Sequence, residues 1–210
     1  NAAMYEAVQL RQGGVKCDIL IIGGIPQHLL HGAIEYDLQV PLFEAETAKR
    51  LNSLSAAAGK KTKVHIKLET GMNRLGVRPG EDLSRLLELV KSLENLEVVG
   101  AYTHFATSTA DYNDPFVLEQ FARFKEGVAQ IEDAGITLTY KHCCNSAAIA
   151  WFREAYGTHV RSCSSILGHM AMEDGREPIG LEEPLEIGAY ITNIHSVSPG
   201  ETIGYSRFFK

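Results

Sequence analysis

The feature that most constrains the fold is the regular alternation of strand-like and helix-like segments along the chain. Strand-like apolar runs are predicted at residues 18–23, 36–43, 64–69, 96–105, 137–143 and 158–163. Helices are predicted between them at residues 44–59, 80–94, 115–134 and 146–154. Strands that alternate with helices are typical of βαβ units and a parallel sheet, so we predict an α/β fold.

Polar residues follow several of these predicted strands at the point where each strand ends. They are Arg74, His104, Asn145, Ser146 and Arg161. In a (β/α)8 barrel the carboxyl ends of the strands form the active-site face. The placement of these residues therefore favours an eight-stranded barrel of this type over an open sheet.

The alternation stops after Gly168. Residues 185–197 and 202–209 have strand-like patterns, and the Ser-Pro-Gly sequence at 198–200 predicts a turn between them. Two antiparallel strands without a helix predict the start of a second, β-rich domain. We therefore divide the chain into a partial barrel at residues 1–180 and the beginning of a β-rich domain at residues 181–210.

Composition argues against several classes of partner. The net charge is -6 and no basic run occurs, which makes nucleic acid an unfavourable partner. No apolar run approaches the ~20 residues that span a membrane, and the first residues lack a signal-peptide pattern. The four cysteines lack zinc-ligand spacing and are expected to be free thiols. We expect a cytoplasmic protein with no metal site.

The segment VHIKLETGMNRLG at residues 64–76 combines a buried strand with two cations, Lys67 and Arg74. Lysine and arginine are almost never buried unless they are paired. Lys67 could lose its proton, or Glu69 could lie between the two cations. The plain alternative is a lysine whose stem is buried and whose ammonium group is solvated.

Five strings in a fixed order carry a resemblance to a known family: HIKLETGMNRLG, YTHFATSTADYNDPF, KHCCNSAA, VRSCSSILG and PGETIGYSRFF. Together they resemble the alanine racemase family, the fold-type III enzymes that depend on pyridoxal 5'-phosphate (PLP). The resemblance implies a PLP-binding barrel, a β-rich second domain and a homodimer. It also implies racemisation of a small amino acid, alanine above all, which supplies D-alanine for peptidoglycan.

The family's PLP-attached lysine lies in a string similar to K-A-N-A-Y-G-H-G on the first barrel strand, and no such string occurs here. Residues 1–14 resemble the helix after the second strand. We therefore expect the chain to lack the first two barrel strands, to stop just inside the second domain, and to be inactive by itself.

The resemblance implies cofactor contacts for five residues. Arg161 would face the pyridine nitrogen of PLP and, because arginine keeps its proton, would leave that nitrogen unprotonated. His142 would orient Arg161. Asn145, Ser146 and Ser164 would bind the cofactor, with Ser146 at its phosphate. A surface arginine, a core histidine and an ordinary helix N-cap serine remain the alternatives.

Catalytic roles are implied for Tyr205, His104 and Arg74. Racemisation needs one base on each face of the substrate, and Tyr205 resembles the second base, which enters from the partner subunit. His104 would link Arg161 to that tyrosine. Arg74 would meet the PLP phenolate oxygen and the substrate carboxylate. A carbamate formed from Lys67 and CO2 would hold Arg74 by charge-assisted hydrogen bonds.

Cys163 departs from the family pattern, which has glycine at this place. If the backbone required a positive φ there, the cysteine would be strained. Two other functions remain open at this point: a non-catalytic PLP-binding barrel for cofactor homeostasis, and a PLP-dependent amino-acid decarboxylase. The β-rich segment with Tyr205 argues against both.

Overall fold

The structure is a computed structural model that describes residues 3–110, 114–170, 172–173, 175 and 179–209. Within these ranges the α-helices are α1 (Met4–Gln12), α2 (Leu30–Glu35), α3 (Ala45–Ala57), α4 (Glu81–Lys91), α5 (Pro115–Asp133) and α6 (Ser146–Trp151). The strands are β1 (Val40–Leu42), β2 (Thr62–Lys67), β3 (Leu96–Tyr102) and β4 (Tyr140–His142). Short 3-10 helices lie at Gln27–Leu29, Arg153–Ala155, Ser164–Leu167 and Tyr205–Arg207. None of the helices in these ranges is long and apolar enough to cross a membrane.

The four strands form one parallel sheet in the order β1-β2-β3-β4. Each strand pairs with the next one along the chain, and α3, α4 and α5 provide the three crossovers. The parallel βαβ pattern predicted from the sequence is confirmed for these strands. All their carboxyl ends consequently point to one edge of the sheet.

Strand β2 is buried on both of its faces. Val64 and Ile66 are fully buried on one face, where the apolar core packs under the helices. His65 and Lys67 alternate with them and point to the opposite, concave face. They too are buried, and only 4% of Lys67 is exposed. The interior side of the sheet is therefore lined by polar side chains.

A bulge in β3 changes the register between the two central strands. Val64 pairs with Val98, but the next residue, His65, pairs with Gly100, so that Val99 is the extra residue. A bulge re-aims the side chains that follow it. Here it places a glycine opposite the buried ring of His65.

The predicted helix signals correspond to real helix ends. In α4 the predicted apolar face is buried, with Leu83, Leu86, Leu87 and Val90 in the core. Helix α5 begins with proline, and the Asp114 side chain accepts a hydrogen bond of 2.8 Å from the Phe116 N–H. Residues 1–2 of the first predicted helix and residues 111–113 of one motif lie outside the described residues.

Two predicted barrel strands are shorter or less regular than expected. Residues 18–23 contribute only a parallel bridge between Leu20 and Gln39. Residues 158–163 form no strand, although the Thr158 and Arg161 N–H groups donate to the carbonyls of Lys141 and Cys144. In both segments the described residues form backbone hydrogen bonds to a neighbouring segment on one side only. Regular strand structure is therefore short or absent there.

The predicted strands after Gly168 are wrong for the chain as described. Residues 185–197 form no strand and are exposed. Residues 202–209 contain a single antiparallel bridge, Ile203 to Phe209, and a 3-10 helix at Tyr205–Arg207. An isolated pair of strands is at best marginally stable without a further packing surface. The alternating pattern alone therefore does not produce a hairpin here.

Leu68 provides a test of the core beneath the sheet. Leu68→Ala should lower the free energy of unfolding by about 2–5 kcal/mol, because it empties a fully buried site. Leu118→Ala is the matched control, since Leu118 is 43% exposed, and should change stability by no more than about 0.5 kcal/mol. Chemical denaturation of both variants measures the difference. Equal losses would contradict the assignment of Leu68 to the core.

Candidate active site

Arg161 is the centre of a dense polar cluster at the carboxyl ends of β3 and β4. Its Nη1 donates to His142 Nδ1 at 2.8 Å and to the His142 carbonyl at 3.0 Å. Its Nη2 donates to the carbonyls of Thr103 at 2.7 Å and Cys143 at 3.1 Å, and contacts His104 Nδ1 at 3.3 Å. None of the described residues accepts a hydrogen bond from Nε. The guanidinium is thus fixed with one N–H group still able to donate.

Both histidines that face Arg161 are held in the neutral state. Burial, followed by the charge of Arg161, lowers the pKa of His104 to about 4. The same two causes, in the same order, place the pKa of His142 well below its usual range. Arginine can only donate, so the Nδ1 atom of each ring is an acceptor and its proton lies on Nε2.

Tyr102 covers one side of this cluster and was not predicted as a site residue. Its ring stacks on His142 with 5.0 Å between centroids and 6° between planes. The Arg161 guanidinium lies 5.6 Å and Lys67 Nζ lies 5.2 Å from its centroid. Tyr102 and His104 are two residues apart, so strand alternation was the signal that could have found it.

Lys67 is a buried cation near Arg161. Its Nζ donates to the Leu68 carbonyl at 3.2 Å, and no ion pair of Lys67 occurs among the described residues. Burial, followed by the charge of Arg161, lowers the pKa of Lys67 to about 8. The plain alternative of a solvated ammonium group does not fit a lysine that is only 4% exposed. A greater share of its amine is neutral near physiological pH than in an exposed lysine.

Glu69 holds the glycine turn that follows β2. Its carboxylate accepts hydrogen bonds from the N–H groups of Gly71 at 2.5 Å and Arg74 at 3.3 Å. Burial opposes its ionisation, but the backbone N–H groups of the turn lower the pKa of Glu69 overall. A side chain at Gly76, where φ is +131°, would place its Cβ 2.7 Å from the Glu69 nitrogen. Glu69 therefore shapes the turn through backbone contacts.

Arg74 lies at the end of this turn with an exposed side chain. It lines a cavity of about 590 Å³ together with Glu69, Asn73 and Arg78. The described residues give its guanidinium no ion pair or hydrogen bond. Arg74 is consequently separate from the Arg161 cluster in its contacts, although its charge contributes to lowering the pKa of His104.

A second cavity of about 290 Å³ adjoins Arg161 and brings together most of the predicted cofactor-binding residues. It is lined by His104, Asn145, Ser146, Arg161 and Ser164, with Ile22, Thr109, Ala147, Cys163 and Met170 completing the wall.

The wall around Ser146 is built by the start of α6. The N-cap is Asn145 rather than Ser146, because Asn145 Oδ1 accepts from the Ala148 N–H at 3.1 Å. Ser146 Oγ accepts from the Cys163 N–H at 2.9 Å, which leaves its own hydroxyl proton available. Cys163 has a φ of -136°, so the cysteine in this loop is not strained by a positive φ.

Comparison with known proteins identifies the family of this chain. Residues 2–170 match the family described as "Alanine racemase, N-terminal domain". The chain belongs to the alanine racemase family. It is 32% identical over 209 residues to alanine racemase 1 of Oceanobacillus iheyensis, covering 100% of this chain and 55% of that protein. It is 35% identical over 206 residues to the alanine racemase of Desulforamulus reducens, covering 97% and 55%.

Solved structures of alanine racemases agree with this assignment. The alanine racemase of Clostridium difficile 630 superposes with a TM-score of 0.92 and 28% identity, covering 99% of this chain and 55% of that one. The chain spans about half the length of the curated relatives that it matches. The barrel-type α/β fold predicted from the sequence is confirmed, and the described strands form part of such a barrel.

Tyr205, like Arg74, is a predicted site residue that the structure does not bring into contact with the Arg161 cluster. It is fully exposed in the 3-10 helix Tyr205–Arg207. Within the described ranges, no hydrogen bond or ring contact joins it to Arg161 or His104. Residues 181–209 carry many other exposed apolar side chains, among them Ile187, Tyr190 and Phe208. Its catalytic role therefore stays a prediction.

The buried histidines predict a pH dependence of stability. The pKa of His104 falls from 6.5 to about 4 on folding, so the unfolded chain binds the proton first as pH decreases. The free energy of unfolding should therefore fall as pH drops from 6.5 towards 4. His104→Gln should reduce that slope by up to about 1.4 kcal/mol per pH unit. Urea denaturation at several pH values measures both slopes, and identical slopes would exclude His104 as a contributor.

Proposed function

We propose that the protein containing this chain is a PLP-dependent racemase of a small amino acid, with alanine as the first candidate. The observation that carries the proposal is the fixed guanidinium of Arg161, which lines the cavity and whose Nε–H has no acceptor among the described residues. A donor that cannot give up its proton keeps a pyridine nitrogen unprotonated. Such a ring is a weaker electron sink, which suits proton exchange and disfavours competing reactions.

The residues around the smaller cavity fit PLP as the cofactor, which alanine racemases use. The ring nitrogen would be held by Arg161. The phosphate would be held by the hydroxyls of Ser146 and Ser164 and by the first N–H groups of α6, which have no acceptor within the helix. Asn145 would support this end through its bonds to Ser108 at 2.8 Å and to the Ala148 N–H. When bound, PLP withdraws electrons from the substrate and acidifies its α-proton.

His104 and His142 have supporting roles in this proposal. Both accept a hydrogen bond from Arg161 at Nδ1 and keep their own proton on Nε2. His104 is the nearer of the two to solvent and lines the cavity, so its Nε2–H can meet the catalytic tyrosine. His142 fixes the position of Arg161 from the side away from the cavity.

Tyr205 is proposed as the base on one face of the substrate. It would remove or return the α-proton at its phenolic oxygen, while a lysine of the complete enzyme serves the other face. Its full exposure is compatible with entry into the site of a partner subunit, and we propose a homodimer of this kind. Residues 181–210 are proposed to begin a β-rich domain that follows the barrel at residues 1–180. We propose a cytoplasmic location.

Lys67 and Arg74 are proposed to act as a pair through a carbamate. The neutral Lys67 nitrogen bonds to the carbon of CO2 and releases a proton, which replaces a buried cation by an anion. That anion would attract Arg74 across the turn and hold it towards the PLP phenolate oxygen and the substrate carboxylate. The low pKa of Lys67, near 8, and its lack of an anionic partner among the described residues support this proposal.

Racemase activity tests the proposed function directly. The full-length protein, loaded with PLP, should convert L-alanine to D-alanine. Arg161→Glu should lower racemisation by about 10²-fold, since it removes a fixed donor, and should raise transamination relative to racemisation. Chiral analysis of alanine and assay of pyruvate measure the two reactions.

Arg50→Glu is the matched control because Arg50 is an exposed residue of α3. It should keep the parent ratio of the two reactions. Absence of any racemisation by a PLP-loaded parent protein would overturn the proposed function. An unchanged ratio in Arg161→Glu would remove Arg161 from the cofactor.

The Lys67 carbamate has its own test. With 13C-labelled bicarbonate, the protein should show one carbamate carbon signal that Lys67→Ala abolishes and that Lys63→Ala retains, because Lys63 is the exposed lysine of the same strand. Activity lost in Lys67→Ala should be partly restored by acetate or chloride. A missing signal together with no rescue by small anions would contradict the proposal.

A further inference from the structure

A line of hydrogen bonds leads from Arg161 away from the cavity and into the barrel interior. Arg161 Nη1 contacts His142 Nδ1 at 2.8 Å, and His142 Nε2 contacts His65 Nδ1 at 3.3 Å. His65 Nε2 then contacts Gln39 Oε1 at 2.7 Å. His142, His65 and Gln39 are each at least 96% buried, so water cannot replace these contacts at low cost.

The protons of this line can be arranged in only one way while both rings are neutral. Arg161 has no acceptor, so it must donate to His142 Nδ1, and the proton of His142 must lie on Nε2. His142 then donates to His65 Nδ1, which places the proton of His65 on Nε2. His65 therefore donates to Gln39, whose oxygen must face the ring. Arg161 at one end, which can only donate, and the Gln39 oxygen at the other, which can only accept, thus favour the same direction for every bond of the line.

At the Gln39 end of the line, this direction of the hydrogen bonds has a cost in free energy. Gln39 Nε2 is buried and makes no well-formed hydrogen bond among the described residues, although the Gln39 side chain interacts with the Asp18 carboxylate. A buried amide N–H without a partner costs about 1–3 kcal/mol. The glutamine tolerates that cost while its oxygen accepts from His65. Burial keeps the imidazole of His65 neutral and lowers its pKa to about 4, although the charge of Asp18 acts in the opposite sense. A carboxylate in direct contact at position 39 would add to the effect of Asp18 and attract a second proton to His65.

The backbone of β3 is shaped to admit the His65 ring. A Cβ atom at Gly100 would lie 2.3 Å from His65 Nδ1 and 2.6 Å from His65 Cε1. The bulge at Val99 is what sets this glycine opposite His65. The atom that the missing Cβ would strike is the same nitrogen that accepts from His142. The bulge and the glycine together make room for one specific hydrogen bond.

We propose that His65 and Gln39 are positioning residues that fix the tautomer of His142 and thereby aim Arg161 at the cavity, with Gly100 providing the space. This inference rests on the proposed function only for the ligand that Arg161 meets. The tautomer itself is a property of the chain without any cofactor. His65 and Gln39 act through His142. They do not line the smaller cavity of His104, Ser146 and Ser164, although both line another cavity of about 790 Å³ that also reaches His142 and Arg161.

Nitrogen-15 NMR of histidine rings tests the tautomers in the full-length protein with PLP removed. His142 and His65 should each show a protonated Nε2 and an unprotonated Nδ1, with one ring form for each. His65→Phe keeps an aromatic ring but leaves the His142 Nε2–H buried without an acceptor. Because that cost competes with the hydrogen bond from Arg161, His142 should lose its single form and show both tautomers. His65→Asn can accept from His142 through its amide oxygen and should restore the Nε2-protonated form.

Gln39→Glu tests the neutral end of the line. The carboxylate should draw a proton onto His65, whose Nδ1–H would then face His142. The proton of His142 must then move from Nε2 to Nδ1, which breaks the hydrogen bond that Nδ1 accepts from Arg161. The expected result is a shift of His142 to the Nδ1-protonated form, which a purely structural role for Gln39 would not produce.

Gly100→Ala should likewise abolish the His65–His142 bond. Gly32→Ala is its matched control, because a Cβ at buried Gly32 would meet only the flexible Met4 side chain at 3.4 Å. The control should retain the parent ring signals. Retention of the parent tautomer of His142 in His65→Phe and in Gln39→Glu would overturn the proposal, and so would an Nδ1-protonated His142 in the parent protein.

PLP binding separates this inference from the proposed function. Titration with PLP, followed by its absorbance, should show weaker affinity in His65→Phe than in the parent protein and recovery in His65→Asn. If the parent binds no PLP but shows the expected tautomers, the proposed function fails and the positioning role stands. If the parent racemises alanine but the tautomer of His142 is unchanged in His65→Phe, the proposed function stands and the positioning role fails.

Discussion

The interior of this chain depends on the burial of one charge that cannot be neutralised. Arg161 keeps its proton under all relevant conditions, and no described carboxylate forms an ion pair with it. Five hydrogen bonds to backbone carbonyls and histidine nitrogens replace the water that the guanidinium loses. Burying an ion without such partners would cost several kcal/mol. The carboxyl ends of β3 and β4 are therefore arranged around this group.

The titratable groups around that fixed cation respond first to burial and second to its charge. His104 and His142 remain neutral, and the pKa of Lys67 falls to about 8. The interior face around Arg161 and Lys67 consequently has an excess of positive charge and donors, while the Glu69 carboxylate is engaged with the backbone of its turn. A site of this kind favours anionic groups. The phosphate and phenolate of PLP, the carboxylate of an amino acid and a lysine carbamate are all anions.

The helices that depend on short sequence patterns were predictable. The contacts that depend on which faces of neighbouring strands meet were not. Helices α4 and α5 were predictable because their apolar spacing and N-terminal signals act within a few residues. His65 and Tyr102 were missed because their importance comes from the pairing of three strands, and from a bulge that no local pattern indicates. Residues 185–197 were predicted as a strand but form none, because alternation of apolar and polar residues gives a strand only when a neighbouring strand is available for pairing. Tyr205 was identified from its motif, but its contacts depend on surroundings that the local sequence does not encode.

The direction of the hydrogen bonds around Arg161 also explains why arginine is required there. Lysine would supply one charge, but its ammonium group has three donors and no planar fork, and it loses its proton readily when buried. The three carbonyls and two histidine nitrogens around the guanidinium match the two terminal nitrogens of an arginine. A deprotonated lysine could also accept a hydrogen bond, and the tautomers of His142 and His65 would then no longer be defined. The geometry of the strand ends and the protonation state of the buried histidines are thus two consequences of the same permanent cation.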